Sequence, residues 1–82
     1  MKGENDMPHV NIKCYPGKTE EQKRKLAEKI TEDIMEIMEA GEEGISIVIE
    51  EIPEEKWENI VWKKEISNKR EMLYKAPGYS FE

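Results

Sequence analysis

The residue with the most chemistry to offer is a proline. Met7-Pro8 stands directly before an alternating run, His9-Val10-Asn11-Ile12-Lys13-Cys14-Tyr15. Inside a chain, Pro8 has a tertiary amide nitrogen without basicity. At a mature amino terminus the same residue has a free secondary amine, held in one direction by its ring, that takes up and returns protons. Which form exists depends on whether synthesis starts at Met1 or at Met7. Residues 1–6 are polar and have no pattern that builds structure. Lys2-Gly3-Glu4 can be encoded by a purine-rich stretch of the kind that bacterial ribosomes read just before a start codon. The expectation is a start at Met7, removal of that methionine because proline is small, and exposure of Pro8. Residues 1–7 are then a non-native or disordered extension, and residues 8–82 a single domain. The neighbouring His9 reads as a structural or surface residue, because successive strand side chains point to opposite faces.

Other chemistries lack their residues. One histidine and one cysteine make no ligand cluster for a metal, and no glycine-rich phosphate loop is present. No cofactor is expected. Charged residues are 39% of the chain and the net charge is −6, which argues against nucleic acid, whose phosphates need basic clusters. No apolar run approaches the length of a membrane span, and the start lacks the apolar core of a signal peptide. A cytoplasmic protein is expected. Cys14 shares a strand face with Val10 and Ile12 and reads as a small buried hydrophobe rather than a reactive thiol.

The elements that would position Pro8 follow from periodicity. Val10, Ile12 and Cys14 fall on one face of a first strand, with His9, Asn11 and Lys13 on the other. Tyr15-Pro16-Gly17-Lys18 reads as a turn. Thr19-Glu20-Glu21-Gln22 is a capping box. Leu26, Ile30, Ile34, Ile37 and Met38 then predict an amphipathic helix of about five or six turns, with Lys23, Lys25 and Glu28 on its solvated side. Gly41 suits the left-handed residue that closes it. A second strand over residues 45–49 stops before Pro53, and the short spacing favours a parallel β-α-β unit. Trp57, Ile60, Val61 and Ile66 predict a second, shorter helix. Asn68 with Glu71 suggests one further turn, and Lys75-Ala76-Pro77-Gly78 ends regular structure.

An 82-residue chain buries only roughly 60% of its unfolded surface when it folds alone. Two parallel strands are too few for a stable sheet and leave edges open. One helix covers one sheet face, so the face with Asn11, Lys13, Ser46 and Val48 needs a cover from elsewhere. An obligate oligomer is expected, with a two-fold dimer the commonest form. Tyr74, Tyr79 and Phe81 are expected to cover apolar surface near that interface.

The order of these pieces resembles the 4-oxalocrotonate tautomerase family. The resemblance rests on Pro8 opening a strand, Gly17-Lys18-Thr19, Glu21-Gln22-Lys23, Leu26 with Ile30-Thr31, Ile45-Ser46-Ile47 and Trp57. It is nearer to the longer, dimeric bacterial members, through the tail Pro77-Gly78-Tyr79-Ser80. The resemblance implies an α/β (α+β) protomer: a tautomerase-like β-α-β unit with an extra carboxyl-terminal helical segment, its sheet completed by oligomerisation. It implies a cofactor-independent keto/enol tautomerase with Pro8 as general acid/base and a homodimer rather than a hexamer as the working form. Lys18 matches the position of an arginine that grips a substrate carboxylate, and a lysine supplies charge there without a bidentate grip. Ser46 stands where members that convert diacids place a second arginine. Trp57 matches an aromatic wall that keeps the pocket dry. The expected substrate is therefore a small 2-oxo monoacid with an apolar or aromatic remainder, such as a phenylpyruvate-like enol, with Lys18, Trp57 and Ser46 as binding residues. If Pro8 stays an internal amide, the alternative is a non-catalytic β-α-β oligomer acting as a binding or scaffold module.

Overall fold

The computed structural model describes residues 6–82, and the expected extension over residues 1–7 lies mostly outside them. Strand β1 (His9–Cys14) pairs in parallel with β2 (Ser46–Glu51), in a register that sets His9 beside Ser46 and Cys14 beside Glu51. Helix α1 (Glu20–Ile37) connects them. The β-α-β unit expected from the sequence is present, and the carboxyl-terminal segment is helical.

The turn into α1 uses Gly17 at φ +130°, a backbone conformation that a side chain strains. Thr19 then caps the helix. Its hydroxyl accepts the Gln22 backbone N–H at 3.0 Å, and the Gln22 side-chain oxygen accepts the Thr19 N–H at 2.9 Å. The helix lies over the face of the pair that carries Ile12, Cys14 and Ile49, and these residues line one cavity together with Lys23 and Leu26. Lys23 is not on the solvated side as expected: its amine reaches Glu51 at 2.8 Å and ties α1 to the end of β2.

The end of α1 also departs from the sequence reading. Regular bonding stops with the Met38 N–H donating to the Ile34 carbonyl. Glu39 takes the left-handed conformation at φ +60°, while Gly41 is extended at φ −76°. Helix closure occurs two residues before the glycine, so a side chain bears a strain that glycine would avoid. A short 3-10 turn (Glu42–Gly44) leads into β2.

After Pro53 a 3-10 turn (Glu54–Lys56) opens a π-helix (Glu58–Ile66), which passes into a 3-10 turn (Ser67–Met72). An ordinary helix was expected from the spacing of Trp57, Ile60, Val61 and Ile66. The wider winding has a visible reason in the five-residue steps from Trp57 to Trp62 and from Val61 to Ile66. With i→i+5 bonding, such pairs share a side. Both indoles thereby meet Tyr79: the Trp57 N–H donates to its hydroxyl, and the Trp62 ring centroid lies 5.7 Å from its ring.

Little of this protomer is dry. Among the described residues the buried apolar side chains are Ala40, Val61 and Trp62. Leu26, Ile37 and Met38, expected on the core face of α1, are exposed, as is Val48 on the opposite sheet face. The π-helix covers only the Lys13 end of that face, through the Lys13–Glu65 ion pair at 2.7 Å. No described helix is long and apolar enough to cross a membrane.

Candidate active site

The structure divides the four expected site residues into two pairs at opposite ends of the strands. At the start of β1, Pro8 is half-buried, and its carbonyl accepts the Ser46 backbone N–H at 3.2 Å. The Ser46 hydroxyl shares a 2.6 Å hydrogen bond with His9 Nδ1, so this side chain is engaged across the strand pair. His9, read from the sequence as structural, thus anchors the beginning of β1 to β2.

Lys18 and Trp57 lie beyond the other end. Six strand residues at about 3.3 Å each place roughly 20 Å between the two groups. There the chain forms an open cleft of about 630 Å³. Lys13 and Cys14 contribute from the end of β1, Tyr15, Pro16 and Lys18 from the turn, and Trp57 from the start of the π-helix. The tail closes the cleft with Tyr79, Ser80 and Phe81. Cys14 is half-buried and lines the cleft as well as the packing against α1.

The cleft is mainly aromatic, and its rings hold one another. Tyr15 meets Trp57 edge-on, with centroids 5.1 Å apart and planes at 88°. Trp57 Nε1–H donates to the Tyr79 hydroxyl at 3.0 Å. Tyr79 and Phe81 both pack on the buried Trp62. The tail residues Tyr79 and Phe81 form cleft wall, whereas Tyr74 is fully exposed. The alternation of Tyr79 and Phe81 after Pro77-Gly78 is the signal that one tail face packs.

Charge in the cleft is asymmetric. Lys13 is engaged by Glu65 at 2.7 Å and Glu50 at 3.6 Å, and the hydrogen bond to Glu65 holds its pKa above the usual lysine value. Lys18 forms no ion pair with another described residue. The chain's two arginines do not line the cleft: Arg70 pairs with Glu82, and Arg24 lies on α1. An apolar cleft with one uncommitted ammonium suits a monoanion with an apolar body.

Comparison with known proteins places this geometry. The Tautomerase enzyme family model matches residues 8–58, starting on Pro8. Tautomerase PptA of Escherichia coli is 43% identical over 75 residues, which span 90% of this chain and 99% of the relative. The chain belongs to the tautomerase family. It is an isomerase. Solved structures similar to this tautomerase include YwhB, a homologue of 4-oxalocrotonate tautomerase, at 48% identity and TM-score 0.55 over 56% of this chain and 75% of that one. A 4-oxalocrotonate tautomerase isozyme of Methylibium petroleiphilum matches at 40% identity and TM-score 0.57, over 61% of this chain and 81% of its own. The family match ends inside the π-helix, so the tail that closes the cleft lies beyond it.

Proposed function

We propose that this tautomerase interconverts the keto and enol forms of a small 2-oxo monoacid with an aryl or similarly apolar remainder, with the amine of an amino-terminal Pro8 as the base. The observation that carries the substrate class is the aromatic cleft in which Lys18 makes no ion pair with another described residue. A second cation would be wanted for a diacid, and Ser46 is a hydroxyl already bonded to His9. A phenylpyruvate-like enol fits: its carboxylate meets Lys18, and its ring stacks among Trp57, Tyr15 and the tail.

Pro8 acts in its amine form after cleavage behind Met7. The start of the family match at Pro8 supports this form. The uncharged nitrogen takes the proton from the enol hydroxyl as the carbonyl forms, then delivers it to C3. Ring constraint lowers the entropy needed to aim the lone pair. Apolar surroundings disfavour the ammonium form and bring an amine of ordinary pKa, about 8, toward neutral pH.

Pro8 and the cleft lie too far apart within one protomer to act on one small molecule. A homodimer that sets the Pro8 end of one chain against the cleft of its partner joins them and covers exposed sheet and helix surface. Such a cofactor-independent enzyme works in the cytoplasm. Ketonisation of phenylenolpyruvate by protein beginning at Pro8 tests the reading. Pro8→Ala is expected to lower kcat at least about 100-fold, and equal rates would remove Pro8 as the base. Intact-mass measurement on protein from its native host should show a chain starting at Pro8.

A further inference from the structure

We propose that Tyr79 is the specificity-determining residue of the cleft, selecting an aryl substrate through its own ring and through the Trp57 indole that it holds in place. This inference rests on the cleft being the substrate site. Trp57 is held at two points, by its T-shaped contact with the Tyr15 ring and by the Tyr79 hydroxyl that accepts its N–H at 3.0 Å. Without that acceptor, the indole loses its hydrogen bond and gains freedom to turn. Tyr79 is itself oriented by buried Trp62 and by Phe81, whose ring stands at 90° to it with centroids 6.0 Å apart. Tyr79 nevertheless remains 45% exposed and lines the cleft.

The tail that carries Tyr79 is tied down at its end. Arg70 bonds the Glu82 carboxylate, and the same guanidinium donates from Nε to the Ser67 carbonyl at 3.2 Å. The Glu82 N–H donates to the Ser80 hydroxyl at 3.0 Å. Arg70 is thus a positioning residue that keeps the tail against the helix. This wall lies beyond residues 8–58, the stretch that the family model matches.

Binding of phenylpyruvate and of pyruvate to the processed full-length protein tests the proposal, followed by nuclear magnetic resonance titration of the two indole N–H signals. Phenylpyruvate is expected to bind more tightly than pyruvate and to shift the Trp57 indole signal. Tyr79→Ala should weaken phenylpyruvate about ten-fold, the loss of a good aromatic contact, and leave pyruvate within about two-fold. Tyr79→Phe keeps the ring and the fold. It should move the free protein's Trp57 N–H signal by removing its acceptor, leave that of Trp62 in place, and weaken phenylpyruvate by about three-fold. Arg70→Gln should act in the same direction as Tyr79→Ala. Equal losses for both acids, no preference in the parent protein, or an unmoved Trp57 signal with unchanged affinity in Tyr79→Phe would overturn the proposal. Selective binding without turnover of phenylenolpyruvate would instead refute the catalytic reading and leave the role of Tyr79 standing.

Discussion

A lysine, rather than an arginine, faces the cleft at position 18. An ammonium neutralises a carboxylate but does not grip both oxygens in a plane. Removing it in Lys18→Ala should raise KM for phenylenolpyruvate about 10- to 100-fold, the range of a charge-assisted hydrogen bond, with a smaller effect on kcat. Lys18→Arg should keep KM at or below the parent value. Steady-state kinetics on the Pro8-starting enzyme would decide, and an unmoved KM in Lys18→Ala would take Lys18 out of the site. The role of Pro8 carries its own pH signature. A base must be uncharged to work, so kcat/KM should rise with pH through the amine's pKa and then level off.

At the scale of elements, α1 closes on a strained residue. Glu39 adopts a left-handed backbone that costs a non-glycine residue about 1–2 kcal/mol. Some joins between elements are ion pairs whose lysines are half-buried. The hydrogen bond to Lys23 holds Glu51 below the usual carboxylate pKa, and the one to Glu51 holds Lys23 above the usual lysine value. A lowered carboxylate stabilises the fold above its unfolded pKa, and the contribution fades as pH falls through the folded value. A raised lysine stabilises below its unfolded pKa, and the contribution fades as pH rises through the folded value. Melting temperature should therefore be flat near neutrality and fall at both extremes. Glu51→Gln should reduce the acid-side slope, and added salt should shrink the effect because the pair keeps partial contact with solvent.

The single chain is more open than a compact domain of its length. Its radius of gyration is 14.7 Å, against about 12 Å for a compact domain of this length. Exposed Leu26, Ile37, Met38 and Val48 lie on surfaces that a second copy would cover. Sedimentation should give about twice the 9.7 kDa chain mass, and Val48→Asp should shift the protein toward monomer. Melting temperature should climb about 3–6 °C per ten-fold increase in concentration, since association is coupled to folding. A monomer with a concentration-independent cooperative transition would sink both the dimer and the joined site.

Most of the elements were legible because their signals are local. Alternation around Ile12, the Thr19–Gln22 capping box and the three-to-four spacing after Leu26 each act within a few residues, and the parallel β-α-β unit follows from their order. The π-helix was not legible, because five-residue steps between Trp57 and Trp62 or Val61 and Ile66 acquire meaning only once Tyr79 is there to be met. The left-handed residue is Glu39 and not Gly41, a shift that no local signal in the sequence marks. Sequence by itself determined the chemistry on offer: a proline at the head of a strand, one lysine after the turn, and aromatic residues toward the end. Tertiary structure alone decided which of these share a place. It gathered Lys18, Trp57 and the tail into one cleft and left Pro8 with Ser46 at the far end, because six extended residues are a rigid spacer whose length no side chain can span.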